Sequence, residues 1–195
     1  MNANPREFYE KGNKRFFAAE LRADGTFGAK EYHEGIMEIS IEWSSETTNI
    51  SADDNPRYVQ LNAPLLGEGS VKFASLPLHI YTKFFDTRID GNGAVVVKSR
   101  AKAKEVAFGF STTHGDGTES MYTLYCAVFK IPALETTSFD GQAIRDITLN
   151  VNVYPYEVKD AGGKVVDTIS YSLLNSREAN WDAAQDSIYI PDADL

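Results

Sequence analysis

The chain has 195 residues, 43% of them hydrophobic and 12% aromatic, with 19 basic against 28 acidic side chains and a formal net charge of −9. That length carries one domain with a full-sized core, and the composition is that of a folded protein. It excludes a phosphate-gripping nucleic-acid surface, which needs clustered Lys and Arg; no run approaches the ~18 apolar residues of a membrane span, and the opening residues lack the apolar centre of a secretory signal. A soluble protein made in a cytosol is expected.

Residues 1–13, with Pro5 and Gly12 and few apolar positions, read as a mobile arm on a single domain spanning 1–195. KRFFAAELR follows; Ala, Glu and Leu favour helix, but the Phe16-Phe17 pair tips it towards strand. Asp24-Gly25 is a turn signal, because glycine tolerates the positive φ of tight turns. Ile39, Ile41 and Trp43 then alternate with Ser40 and Glu42, the mark of a half-buried strand.

Residues 44–66 are rich in Asn, Asp, Ser and Thr, with Ile50, Tyr58, Val59 and Leu61 as spaced apolar anchors. A segment this long is expected to be functional or mobile, or to pair as an extended hairpin. Val71 and Phe73 mark another strand. The period then changes: Leu76, Ile80 and Phe84, flanked by Tyr81 and Phe85, stripe one face of a helix over residues 76–85, with Ser75 as N-cap and Pro77 in the first turn.

Strands resume after DGNG: residues 94–98, then Val106, Phe108 and Phe110, a bend at THGDG, and ESMYTLYCAVFKI. Ile147, Leu149, Val151 and Val153 give the cleanest alternation in the chain; the pattern runs on past Pro155, a residue suited to an edge or bulge. DAGGK turns into a last strand over residues 165–173, and an acidic extension over 176–195 carries Trp181 and Tyr189, to dock on the body or hang free. Many strands and one helix predict a mainly β fold, an antiparallel β-sandwich or barrel.

Candidate chemistry is sparse. His33, His79 and His114 each lack a second ligand at zinc spacing. DTRIDGNGAVVV places Asp86, Asp90 and Gly91 at EF-hand positions, but Arg88 and Val97 stand where two ligands belong, so a turn is the better reading. Asp53 and Asp54 are adjacent on an extended segment and point apart, unlike a glycosidase acid pair. Cys126, in YTLYCAVF, reads as a packed thiol without the partner that a nucleophile needs. No catalytic, metal or cofactor site is expected, and the chain is read as a non-enzyme.

Five segments in order, GAKEYHEGIMEISIEWSSE, SADDNPRY, GEGSVKFASLPLHIYTKFFD, VAFGFSTTHGDGTESMYTLYCAVFKIP and TTSFDGQAIRDITLNVNVYPY, span roughly residues 13–172. In order and spacing they resemble the major tail proteins of long-tailed, non-contractile phages of Gram-positive bacteria. The resemblance implies a tail-tube β-sandwich whose helix is residues 76–85, hexameric rings stacked into a tube, and a lumen through which phage DNA passes without specific binding. It implies as partners further copies of the chain and the tape-measure, tail-tip and tail-terminator proteins. The location would be the virion tail after assembly in the host cytoplasm, with no membrane. The arm before Lys14 and the tail after Leu173 depart from the family pattern.

On this reading the long segment is an arm that reaches a neighbouring subunit, with Asn49, Asp53, Asp54, Arg57, Tyr58 and Gln60 as contact residues. The acidic balance either keeps the lumen wall from gripping DNA or keeps the free subunit soluble. The alternative is a carbohydrate- or partner-binding β-sandwich module of a baseplate or cell-surface protein, with Trp43, Tyr58 or Trp181 as a stacking platform; the phase of Trp43 with Ile39 and Ile41 favours its burial.

Overall fold

The computed structural model describes residues 10–52, 55–74, 78–97, 102–131, 146–160 and 162–191. Among these residues fourteen strands and two short helices run in the order β1 (Glu10–Glu20), β2 (Glu31–His33), β3 (Ile36–Ser44), β4 (Thr47–Ala52), β5 (Asn55–Asn62), β6 (Leu66–Phe73), α1 (Leu78–Phe84), β7 (Thr87–Ile89), β8 (Val95–Val97), β9 (Glu105–His114), β10 (Glu119–Phe129), β11 (Ile147–Tyr154), β12 (Tyr156–Lys159), β13 (Val165–Ile169), β14 (Tyr171–Asn175) and α2 (Trp181–Asp186). Every pairing is antiparallel. The protein is mainly β, as its alternating sequence dictates.

The main sheet has the order β2-β1-β9-β10-β11-β6-β3, and it branches at β10. Residues Ser120 to Leu124 pair with β14, whereas Cys126 to Phe129 pair with β11, and a register shift between Leu124 and Ala127 separates the two partners. A bulge of this kind bends a strand and raises its twist. The sheet therefore turns over on itself, bringing Phe16 of β1 edge-on to Phe73 of β6 at 5.2 Å between ring centroids.

The enclosed face holds the principal core: Phe16, Val71, Phe73, Phe108, Phe129, Leu149, Val151 and Val153, capped by Ile80, Phe84 and Phe85 from α1 and its end. Phe84 stacks on Phe129 at 4.3 Å. The helical stripe read from Ile80, Phe84 and Phe85 is thus the face that closes the sandwich. The cap residue Ser75, together with Leu76 and Pro77, lies outside the described residues.

Registers explain how large side chains fit here. Across β3, β6 and β11 the rows are Ile39–Val71–Leu149, Ile41–Gly69–Val151 and Trp43–Gly67–Val153. A β-carbon on Gly69 would lie 1.9 Å from the carbonyl oxygen of Ser40, and one on Gly67 would lie 2.9 Å from the Trp43 ring. The two glycines let Ile41 and Trp43 lie across β6.

Four connections share one geometry. In segments 22–26, 90–94, 114–118 and 160–164 the first N–H donates to the fifth carbonyl, and the fourth residue, Gly25, Gly93, Gly117 or Gly163, donates back to the first. Each of these glycines has φ between +82° and +87°, the left-handed residue of a three-residue turn with a bulge. Asp24 and Asp116 stabilise their turns by accepting from the N–H and hydroxyl of Thr26 and Thr118. Asp90 and Asp160 do so from the first position, taking two backbone N–H groups each.

Three sequence expectations change. Residues 10–13 belong to β1, with Asn13 opposite Thr112, so the arm expected over 1–13 does not extend that far; residues 1–9 lie outside the described residues. The single strand expected over 165–173 is two strands parted at Ser170, because β13 pairs with β12 and β14 with β10. The acidic extension is docked over its described residues, 176–191, and it supplies a second helix, α2, whose Ala184 joins Phe17, Met121 and Leu174 in a small cluster. Pro155 lies between β11 and β12, in neither ladder, consistent with its missing donor. Among the described residues no helix is long and apolar enough to cross a membrane.

Candidate functional site

Residues 47–62 form a two-stranded ribbon, β4 with β5, separate from the main sheet. Its root is pinned by the Ala63 N–H donating to the Glu46 carbonyl at 2.7 Å and by Ser45 Oγ donating to the Ala63 carbonyl at 2.8 Å. Among its residues whose side chains are described, none belongs to either core cluster. This is the segment from which an inter-subunit arm was expected, and it is paired as a hairpin and not a loop.

Thr47 stands opposite Asn62, Thr48 opposite Leu61, Asn49 opposite Gln60 and Ile50 opposite Val59. Opposed residues of an antiparallel pair share a face, so the ribbon sorts its side chains. Thr47, Asn49, Gln60 and Asn62 lie on one side, tied by hydrogen bonds from Thr47 and Gln60 to Asn62 Oδ1. Val59 and Leu61 lie on the other, 38% and 54% exposed. Of the six expected contact residues, the structure thus places Asn49 and Gln60 together, on the polar face. Arg57 and Tyr58 lie on β5, where only their backbone is described, and Asp53 and Asp54 lie outside the described residues. The sequence reading named those six as the contact set and treated Val59 and Leu61 as anchors; the structure leaves those two exposed.

A second apolar surface borders the root. Leu65 is exposed beside Tyr171 of β14, Leu66 and Leu173 are exposed on β6 and β14, and Ser170 Oγ donates to the Leu65 carbonyl at 3.1 Å. A cleft of about 460 Å³ runs between 62–65, Pro155 and 168–171. Tyr171 stacks on Trp43 at 5.0 Å and 28° between ring planes, closing the gap between β3 and β14.

The other groups singled out from the sequence take structural places. His33 is buried beside Phe16. His114 Nε2 lies 2.6 Å from Ser120 Oγ, an arrangement that could suggest a nucleophile and its base. Ser120 is 4% exposed, between β9 and β14, so a substrate has no path to it. Asp90 spends one carboxylate oxygen on the N–H groups of Asn92 and Ala94, the turn reading of DGNG. Cys126 is buried, and burial pushes its thiol up to about 11, far from the thiolate that reacts or binds metal. Among the described residues no group of three His, Cys, Asp or Glu side chains converges to hold a metal ion. Trp43 packs against the main core and Trp181 against the second cluster, so neither is a free platform.

No known protein-family model matches the chain, and no curated protein matches it.

Proposed function

We propose that this chain is a structural virion protein that self-assembles into the stacked hexameric rings of a phage tail tube. The observation that carries the reading is the β4–β5 ribbon: it is a two-stranded sheet apart from the main one, none of its described side chains joins either core cluster, and its Val59 and Leu61 are exposed. An isolated two-stranded hairpin is at best marginally stable in water, so this one is built to be covered. The order of segments resembling major tail proteins supplies the identity of the cover, neighbouring copies of the same chain. Leu65, at the ribbon root, and Tyr171 line one cleft and are both exposed, which leaves further apolar side chains uncovered on the body. A net charge of −9 fits both a conduit that does not grip DNA and a subunit kept apart until assembly.

The carbohydrate-binding alternative is less well supported, because Trp43 and Trp181 are both packed against core side chains.

Electron microscopy of concentrated protein, with a tail-tip complex supplied as nucleus, tests the proposal. Rings or tubes are expected from the native chain, and none from a Val59→Asp, Leu61→Asp variant whose circular dichroism is unchanged. Equal assembly by that variant would refute the role given to the ribbon; imaging of virions that placed the chain outside the tail shaft would refute the function itself.

A further inference from the structure

α2 has six residues, and Asn180 at its start makes no side-chain cap. A helix of that length does not hold itself in water, because nucleation is unfavourable and too few bonds follow to repay it. Its stability must come from what it lies on. Trp181, Ala184, Ile188 and Tyr189 cover Phe17, Met121 and Leu174 on the outer face of β1, β10 and β14.

The remaining contacts are specific. The last carbonyls of a helix have no donors within it. Here the body provides them. Lys30 Nζ donates to the Ala184 carbonyl, and Tyr32 OH donates to the Gln185 carbonyl at 2.7 Å. Further on, Tyr125 OH donates to the Tyr189 carbonyl at 2.7 Å. Lys30 is itself held in place, its ammonium 3.7 Å from the centre of the Phe17 ring and 3.3 Å from Met121 Sδ. It therefore touches both the covering segment and the floor beneath it. The chain enters this segment at a fixed point, Ser176, whose N–H donates to the Glu119 carbonyl and whose hydroxyl accepts from the Glu119 N–H.

The floor does not depend on its cover. The second cluster shares no residue with the principal core, and the ladders of β1, β9, β10 and β14 are complete without residues 177–191. We infer that residues 177–191 form a strap that opens and closes as one unit over the Phe17–Met121–Leu174 face, hinged after Ser176 and latched by Lys30 and Tyr32. Opening would uncover an apolar surface while the sandwich stays folded, a local transition of the kind that separates cooperative units within one domain. This inference does not rest on the assembly reading.

Native-state hydrogen exchange on the full chain tests it, followed by mass spectrometry of peptides from 177–191 and from β9–β10. Strap amides are expected to exchange by an opening far more frequent than global unfolding. Lys30→Met and Tyr32→Phe should each speed that exchange by about five- to tenfold, the equivalent of one hydrogen bond, with β9–β10 amides unchanged. Tyr32→Phe keeps the ring that packs on Phe17 and removes only a hydroxyl from a side chain 41% exposed, so this variant folds even if the lysine variant does not. Strap and β9–β10 amides exchanging at one common rate would overturn the inference, as would strap exchange unmoved by Tyr32→Phe.

Discussion

Gly69→Ala is the sharpest probe of how β3, β6 and β11 fit together. The added β-carbon would meet the Ser40 carbonyl oxygen at 1.9 Å and the Ile41 Cα at 2.8 Å, both backbone atoms. Ordinary contact begins at 3.4 Å, so β3 must retreat by about 1.5 Å at its centre. Such a retreat breaks two or three ladder hydrogen bonds at about 1 kcal/mol each and adds an overpacking penalty of about 1–3 kcal/mol. The sum is roughly 3–6 kcal/mol, which at about 2–4 °C per kcal/mol for a domain of this size lowers the melting temperature by roughly 6–24 °C. Gly67→Ala is the control, because its nearest neighbour is the Trp43 ring at 2.9 Å, a side chain that can swing aside. Its cost should stay near 1 kcal/mol, with a change in Trp43 fluorescence as the ring leaves Tyr171. Urea titrations of both variants read the difference. A Gly69→Ala protein within about 1 kcal/mol of the native one would refute the claim that β3 crosses β6 at backbone contact.

Three further outcomes follow from ionisable groups. Cys126 should resist a thiol reagent at about pH 8 in the folded protein and react at once in urea, because it is buried and its thiol is pushed up to about 11; rapid labelling of the native chain would contradict this. Burial pushes Lys30 down to about 8 from 10.5, so between those values the unfolded chain holds more protons and the lysine's contribution makes stability rise with pH. The rise should be well under ~1.4 kcal/mol per pH unit, since the ammonium keeps some water contact, and it should vanish in Lys30→Met; an unchanged slope between about pH 8 and 9, where Cys126 contributes alike to both proteins, would contradict it. Hydrogen bonds from Thr26 and Thr118 hold Asp24 and Asp116 below 3.8, so their contribution is present above that value and is lost as pH falls through their lowered values. An Asp24→Asn, Asp116→Asn variant should therefore lose less melting temperature on acidification than the native chain, and an equal loss would count against the two turns.

Much of the body was legible because its signals are local. Ile39, Ile41 and Trp43, and again Leu149, Val151 and Val153, alternate with polar residues and do face one core. Ile80, Phe84 and Phe85 fall at helical spacing and do cap it. The glycine-bearing turns could be read from four or five residues each. What escaped the sequence depends on register or on distance along the chain. The sidedness of the ribbon follows from Thr48 standing opposite Leu61, which its Asn- and Thr-rich composition does not encode. Docking of the tail depends on Lys30 and Tyr32 meeting carbonyls more than 150 residues away, and six helical residues give too little periodicity to announce themselves. The division of the last strand at Ser170 is likewise invisible locally, because both halves alternate and differ only in partner.

Phe16 and Phe17 are consecutive on β1, and one enters the sandwich interior while the other lies under the C-terminal strap. With aromatic rings of equal size on both sides, hydrophobicity alone could not tell the strand which way to face. The small residues opposite supply the asymmetry: Gly109 sits directly across from Phe17, so close that a β-carbon there would come within 2.4 Å of the ring, whereas Phe16 faces Phe110. A slip of one position would drive Phe16 into the space fitted to Phe17 and empty the centre of the sandwich. The dipeptide thus acts as an alignment key, and errors in threading β1 are rejected from both sides at once.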